Sequence, residues 1–236
     1  MHNPFPRLRK HLAARFNPAE SFGLHLTLGA LAMLAAGWIF GVIAGEVVAG
    51  APLTLLDVRL ANWFHQHAQS GWTPFMLFIT HWHQQGGILA MALLLALYLR
   101  TKGAAHWLLA LVLTVPGGML LNVLLKYTFQ RARPSFDDPL VTLATFSFPS
   151  GHASGATLFY GFLAAYLMCT VAHAAARAAV LCAALAMVAL VALSRVYLGA
   201  HYLSDVLAGI AFGCAWLATC ITAVSTLRRR RAGASH

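Results

Sequence analysis

The chain has 236 residues, of which 60% are hydrophobic and only 9% are charged, and its mean hydropathy is +0.71. A soluble domain carries roughly 25% charged residues, so this composition excludes an ordinary soluble protein and indicates an integral membrane protein. The formal net charge is +10. Because the basic residues concentrate in predicted tails and turns, they indicate membrane topology and not binding to nucleic acid.

Six hydrophobic runs approach or exceed the roughly 20 apolar residues that a bilayer-spanning helix needs. They are predicted at residues 22–48, 86–100, 104–126, 152–172, 178–194 and 202–226. The second run is short, so it must borrow a turn from the polar residues before it or be sheltered by protein. The sequence therefore predicts an all-α fold, in which residues 22–226 form a six-span transmembrane helix bundle without a second domain.

The basic residues also predict how the bundle is oriented. Residues 1–21 and 227–236 form two basic tails. With six spans, these tails share one membrane face with the turns at Arg100/Lys102 and at Arg177, and the positive-inside rule makes that face cytoplasmic. In a bacterial inner membrane, the opposite ends of the spans would face the periplasm.

A polar and aromatic stretch, residues 52–83, separates the first two predicted spans. Its tryptophans suit the headgroup level of a membrane, and Thr73 followed by Pro74 is typical of an N-cap with proline at the first helical position. We therefore expect a small periplasmic helix-turn-helix that lies at the membrane interface.

The first of three polar clusters lies at the outer end of the third predicted span. Lys126 is followed, after six intervening residues, by Arg133 and Pro134. A lysine at the end of a span is usually a snorkelling residue, so this cluster is weak evidence when taken alone. Arg131, in the same loop, is expected to be solvated or to tune the choice of lipid headgroup.

The second cluster, Pro149-Ser150-Gly151-His152, opens the fourth predicted span. Ser150 is an expected N-cap, and Gly151 lets a ligand approach the free N–H groups at the start of the helix, where anions bind favourably. Capping explains these residues but gives no reason for His152 at the mouth of a membrane helix.

The third cluster joins the last two predicted spans. Ser194 and Arg195 end the fifth span, and His201 and Asp205 open the sixth. At positions i and i+4 on one helical face, His201 is the expected partner of Asp205, which is costly to bury inside a membrane without one. The predicted spans bring all three clusters to the same membrane face.

The clusters K-x6-R-P, P-S-G-H and S-R-x5-H-x3-D closely resemble the signature of the type 2 phosphatidic acid phosphatase superfamily of membrane lipid phosphatases, whose six-span layout is also similar. The resemblance implies that His201 is the nucleophile, Asp205 its orienting partner and His152 the general acid. It implies a phosphate site formed by Lys126, Arg133, Ser150, the backbone N–H of Gly151, and Arg195. It also implies that no metal or other cofactor takes part.

Physical chemistry supports these roles from the residues themselves. Three cations would neutralise the phosphoryl oxygens, and two histidines on opposite sides would provide in-line attack and protonation of the leaving oxygen. The paired histidines His65/His67 and His81/His83 point apart on a helix, so they are interpreted as interfacial residues and not as a zinc site.

The sequence thus predicts a metal-independent lipid phosphatase that acts on a lipid phosphomonoester or diphosphate through a phosphohistidine. Relatives in the resembled family act on undecaprenyl diphosphate, phosphatidylglycerol phosphate or phosphatidic acid. The expected partners are this lipid phosphate and the surrounding membrane lipids, and the oligomeric state stays open. Two alternatives remain: a phosphotransferase that passes the phosphoryl group to an acceptor such as lipid A, and a non-catalytic lipid-binding membrane protein.

Overall fold

A computed structural model describes residues 23–68 and 70–233, and within them the regular secondary structure is entirely helical. The predicted all-α class is therefore confirmed. The predicted N-terminal tail, residues 1–21, lies outside the described residues. The helices are α1 (Leu24–Ala49), α2 (Pro52–Gln66), α3 (Thr73–Trp82), α4 (Gln85–Thr101), α5 (Ala105–Phe129), α6 (Gly151–Thr170), α7 (Ala174–Tyr197) and α8 (Leu203–Gly233).

Five of these helices, α1, α5, α6, α7 and α8, are long and apolar enough to cross a membrane. The predicted second span corresponds to α4, an apolar helix of 17 residues. Helix α4 packs against both α5 and α6 and buries Ile88, Ala92 and Leu99, so protein shelters one side of the short span. Helix α8 continues to Gly233, which places residues 227–233 of the predicted C-terminal tail within this helix.

The segment between α1 and α4 forms the predicted helix-turn-helix, with α2 and α3 as its two helices. The prediction that Thr73 caps α3 was wrong: Trp72 is the N-cap, and Thr73 is already helical. The Thr73 hydroxyl instead lies 3.1 Å from the Tyr197 hydroxyl at the end of α7. Helix α2 contacts α1, α7 and α8, so the segment is docked onto one end of the bundle.

Helix α6 forms the centre of the bundle, where it packs against α5, α7 and α8. Leu158 and Phe162 of α6 are fully buried and share a core cluster with Ile88 of α4 and Val115 of α5. This packing holds the first turn of α6 at a defined position beside α8.

Helices α6 and α8 approach each other closely because α8 presents glycine at the contact. A Cβ atom at Gly209 would lie 2.7 Å from the backbone oxygen of Ser150, and one at Gly213 would lie 2.8 Å from Cβ of Thr157. The Ser150 N–H donates to the backbone oxygen of Asp205 at 2.9 Å. Small residues that let backbones meet are typical of membrane helix interfaces.

Substituting Gly209→Ala should destabilise the protein by about 1–3 kcal/mol, because the new methyl group meets backbone that cannot move aside without shifting α6. The measurement is the thermal unfolding of the purified protein in detergent. Gly37→Ala is the matched control, since a Cβ atom there meets nothing within 4 Å. Equal melting temperatures for the two variants would contradict the proposed close contact.

Candidate active site

The three polar clusters meet around one cavity of about 1290 Å³ at the end of the bundle that carries α2 and α3. Of the eight site residues predicted from the sequence, six line the cavity and two, Ser150 and Asp205, are fully buried beside it. The six that line it are Lys126, Arg133, Gly151, His152, Arg195 and His201.

The start of α6 has the predicted capping geometry. Ser150 is the N-cap, and its Oγ accepts a hydrogen bond from the Ala153 N–H at 3.4 Å. The hydroxyl is buried in this role. A Cβ atom at Gly151 would lie 3.3 Å from Asn122 Oδ1 and 3.8 Å from Lys126 Cε, so glycine keeps the space between the helix start and Lys126 open.

The cations that line the cavity are held by neutral acceptors. Lys126 Nζ donates to the backbone oxygen of Phe146 at 2.7 Å, and Arg133 Nε donates to that of Thr145 at 2.6 Å. Arg195, which is 1% exposed, donates to the Thr80 hydroxyl. Within the described residues, none of these three cations forms an ion pair with a carboxylate. Their charge therefore remains available to an anion.

The hydrogen bonds of His201 identify which ring nitrogen can act as a nucleophile. Arg133 Nη1 lies 3.2 Å from His201 Nε2, and a guanidinium can only donate, so Nε2 is assigned as the unprotonated nitrogen. The Nδ1–H then points to Ser147 Oγ at 3.3 Å and to Asp205 Oδ2 at 3.5 Å. Burial lowers the pKa of His201 to about 3 even though Asp205 opposes this shift, so the ring is neutral at ordinary pH.

The prediction that His201 and Asp205 share a helical face was wrong in its local structure. Helix α8 begins only at Leu203, and His201 lies in the preceding turn. Gly199 has φ of 65° in this turn, a left-handed conformation that glycine adopts without strain. The turn still places His201 beside Asp205, so the predicted contact is present.

Asp205 has a closer charged partner than His201, which corrects the expectation from the sequence. Arg131 Nη1 lies 2.7 Å from Asp205 Oδ1, while Arg131 Nη2 lies 2.8 Å from Asp57 Oδ2. The side chain of Arg131 is only 14% exposed, and its guanidinium lies over the ring of Tyr202 at 4.4 Å. The expectation that Arg131 is solvated was therefore wrong.

Sequence reasoning also missed Ser147, which connects His201 to Asp205. The Ser147 hydroxyl donates to Asp205 Oδ2, and Ser147 Oγ accepts from His201 Nδ1. The Ser147 N–H donates to the backbone oxygen of Arg131 at 2.8 Å. Nothing in its spacing relative to the motifs indicates this position, because it depends on the path of the loop between α5 and α6.

Two buried nitrogen atoms, His152 Nε2 and Arg195 Nε, have no hydrogen-bond partner within the described part of the chain. Both residues line the cavity. Because buried polar groups are almost always paired, such atoms indicate a place where a polar ligand binds.

Residues 107–229, more than half of the chain, match the family model of the PAP2 superfamily. The chain belongs to the PAP2 superfamily. It is 34% identical over 132 residues to phosphatidylglycerophosphatase B of Bacillus subtilis (strain 168), and the match covers 47% of this chain and 64% of that protein.

This PAP2 protein also resembles the crystal structure of a transmembrane PAP2-type phosphatidylglycerolphosphate phosphatase from Bacillus subtilis. The two structures share a TM-score of 0.69 at 26% sequence identity, over 80% of this chain and 94% of the other. The similarity therefore covers the helical bundle around the cavity and not the motifs alone.

The three cations with neutral acceptors should bind a tetrahedral oxyanion. We expect inorganic phosphate or orthovanadate to raise the melting temperature of the wild-type protein, because a ligand that binds only the folded state stabilises it. Arg133→Ala should abolish this shift. Arg59→Ala, at an exposed position of α2, is the matched control and should keep it; an equal shift in both variants would place the anion elsewhere.

Proposed function

We propose that this PAP2 protein is a membrane lipid phosphatase in which His201 Nε2 attacks the phosphorus of a lipid phosphate. The observation that carries the proposal is the direction of the His201 hydrogen bonds, in which one ring nitrogen accepts and the other donates. Arg133 faces the unprotonated Nε2, and Ser147 and Asp205 face Nδ1. Membership of the superfamily and the relatives named for phosphatase activity support the same reaction class.

In the proposed first step, a bond forms between Nε2 and phosphorus as the bond from phosphorus to the leaving lipid oxygen breaks. His152 gives its proton to that oxygen, and the Nδ1 proton stays on the ring of His201, which becomes positively charged beside Asp205. In the second step, water attacks phosphorus as the bond from phosphorus to Nε2 breaks; His152 accepts the proton of the water and is restored, and phosphate is released. Lys126, Arg133 and Arg195 would stabilise the negative charge of the phosphoryl oxygens throughout.

The chemistry of these residues does not call for a metal ion. Three cations supply the electrostatic stabilisation that a divalent ion would otherwise provide. Within the described residues, no group of three or more His, Cys, Asp or Glu side chains could hold a metal ion. The three cations are the observation that supports metal-independent hydrolysis as part of the proposal.

The walls of the cavity support a lipid substrate. Leu77 and Phe78 of α3 and Val123 and Tyr127 of α5 line it together with the polar site residues. An apolar chain that leaves the bilayer could lie along these walls while its phosphate reaches His201. The curated relative and the solved structure, both from Bacillus subtilis, are named for phosphatidylglycerophosphate, and we propose a glycerophospholipid phosphomonoester of this type as the substrate.

We further propose that the cavity opens to the periplasmic face of a bacterial inner membrane. The last turn of α4 carries Arg100 and its C-cap is Lys102, and the final turns of α8 carry Arg228, Arg229, Arg230 and Arg231. These residues lie at the bundle end opposite to the cavity, where the positive-inside rule expects the cytoplasm.

His201→Ala should reduce phosphate release by at least about 1000-fold, because the nucleophile is lost. The assay uses purified full-length protein, phosphatidylglycerophosphate in detergent micelles, and EDTA in every reaction. His173→Ala, at an exposed histidine before α7, is the matched control and should have wild-type activity.

Quenching the reaction during turnover should trap acid-labile phosphate on the wild-type protein and none on His201→Ala. Wild-type protein that released phosphate only after a divalent cation was restored would contradict the metal-independent mechanism. Near-normal release by His201→Ala would contradict the proposed nucleophile.

Cysteine labelling should show which ends of the helices face the periplasm. After the four native cysteines are replaced, Thr142→Cys should react with an impermeant thiol reagent added to intact spheroplasts, since Thr142 is exposed at the cavity. Lys102→Cys, in the turn after α4, should react only after the membrane is permeabilised. Labelling of both positions from the same side would contradict the proposed orientation.

A further inference from the structure

Arg131 differs from the other cations of the site because buried carboxylates already neutralise its charge. Its guanidinium bridges Asp57 and Asp205, and the side chains of both are 0% exposed. A phosphate would gain little from a cation that is already paired in this way. Any contribution of Arg131 to the reaction must therefore act through Asp205.

Arg131 binds the oxygen of Asp205 that does not face the nucleophile. Oδ1 is bound by Arg131 at 2.7 Å, while Oδ2 accepts from the Tyr202 N–H at 2.9 Å and from Ser147, and lies 3.5 Å from His201 Nδ1. The last side-chain torsion of an aspartate is broad and intrinsically weakly restricted. The ion pair at Oδ1, together with the two hydrogen bonds at Oδ2, fixes the plane of the carboxylate and directs Oδ2 towards His201.

Arg131 is itself held in place from the docked helix α2. Asp57 binds Arg131 Nη2 at 2.8 Å and also accepts the Ser204 N–H at 2.9 Å in the first turn of α8. The Ser204 hydroxyl accepts from Arg131 Nη1 at 2.7 Å. A planar guanidinium can bridge two carboxylates in this geometry, whereas a lysine ammonium lacks the two coplanar NH₂ groups that do so.

The cluster also has an electrostatic consequence for the reaction. Two carboxylates and one guanidinium carry a net charge of −1 (−2 + 1) next to His201, which becomes positive when its Nε2 binds phosphorus. Loss of the Asp57 charge would make this sum zero and weaken that stabilisation, while the Asp205 carboxylate would stay beside the ring. The other charged or titratable side chains that act on His201 come from three further segments: Arg133, Arg195 and His152.

We infer that Arg131 and Asp57 are positioning residues, which orient the Asp205 carboxylate towards His201 Nδ1 and maintain a negative charge beside the ring during phosphoryl transfer. The inference rests on the proposed function of His201 as the nucleophile. It assigns to α2, which lies outside the three motifs, a direct part in supporting the chemistry.

The test is a set of double-mutant cycles on the full-length protein, with phosphatidylglycerophosphate as the probe. Arg131→Gln and Asp57→Asn are each measured alone and combined with Asp205→Asn. Each single variant should lower kcat at least about tenfold, or about 1.4 kcal/mol in the barrier, with little change in KM. In the Asp205→Asn background each should change kcat by less than about twofold, because the group they position has already lost its charge.

A role limited to stabilising the fold predicts a different pattern: kcat would fall by similar factors in both backgrounds, in parallel with the melting temperature. Arg131→Lys covers the case in which Arg131→Gln does not fold, since it keeps the charge but loses the two coplanar donor groups. It should also lower kcat. Arg59→Gln, on the same helix as Asp57, is the control and should resemble the wild type.

Wild-type kcat in Arg131→Lys and Asp57→Asn would overturn the inference, and so would equal losses in both backgrounds. These results are distinguishable from failure of the proposed function itself. If wild-type protein and His201→Ala released phosphate at the same rate, the nucleophile would be wrong; if only His201→Ala were inactive, the nucleophile would stand and the positioning role alone would fail.

Discussion

The Asp205 carboxylate imposes the constraint on which the site depends, because a charged group buried in a membrane bundle has to be paired. An ionisable side chain inside a membrane segment is costly unless it is paired. Arg131 supplies the paired charge at 2.7 Å, and the backbone oxygen of Asp205 accepts the Ser150 N–H at 2.9 Å. The loop after α5, the start of α6 and the start of α8 are thereby held together at one residue.

The convergence of the motifs could be predicted from the sequence because it follows from counting spans. Each cluster lies at the end of a long apolar run, and alternating directions bring Lys126, His152 and Arg195 to one membrane face. The cap at Ser150 could be predicted as well, since it depends only on local backbone geometry. The start of α8 could not: the turn through Gly199 leaves His201 outside the helix, although i to i+4 spacing alone favours a continuous one.

The partners of the motif residues could not be predicted because they depend on tertiary docking. Ser147 reaches His201 only through the path of an irregular loop, and Asp57 reaches Arg131 only because α2 docks on the bundle end. The sequence nevertheless contained one physical signal. Asp57 is the single acidic residue of α2, and a carboxylate on a segment that packs against a membrane bundle needs a cation close to it.

The three cations that line the cavity differ from Arg131, which lies outside its lining, in the acceptors that they bind, and this difference separates phosphate binding from support of the site. Arg131 is neutralised by two carboxylates, so it is stable in the folded protein without a ligand. Lys126 and Arg133 instead donate to backbone oxygens, which orient their charges without cancelling them. Holding uncancelled cations close together costs folding free energy, and an incoming phosphate relieves that repulsion. Its oxygens then meet donors that need no further reorganisation, which is the condition under which electrostatic stabilisation of a transition state is strongest.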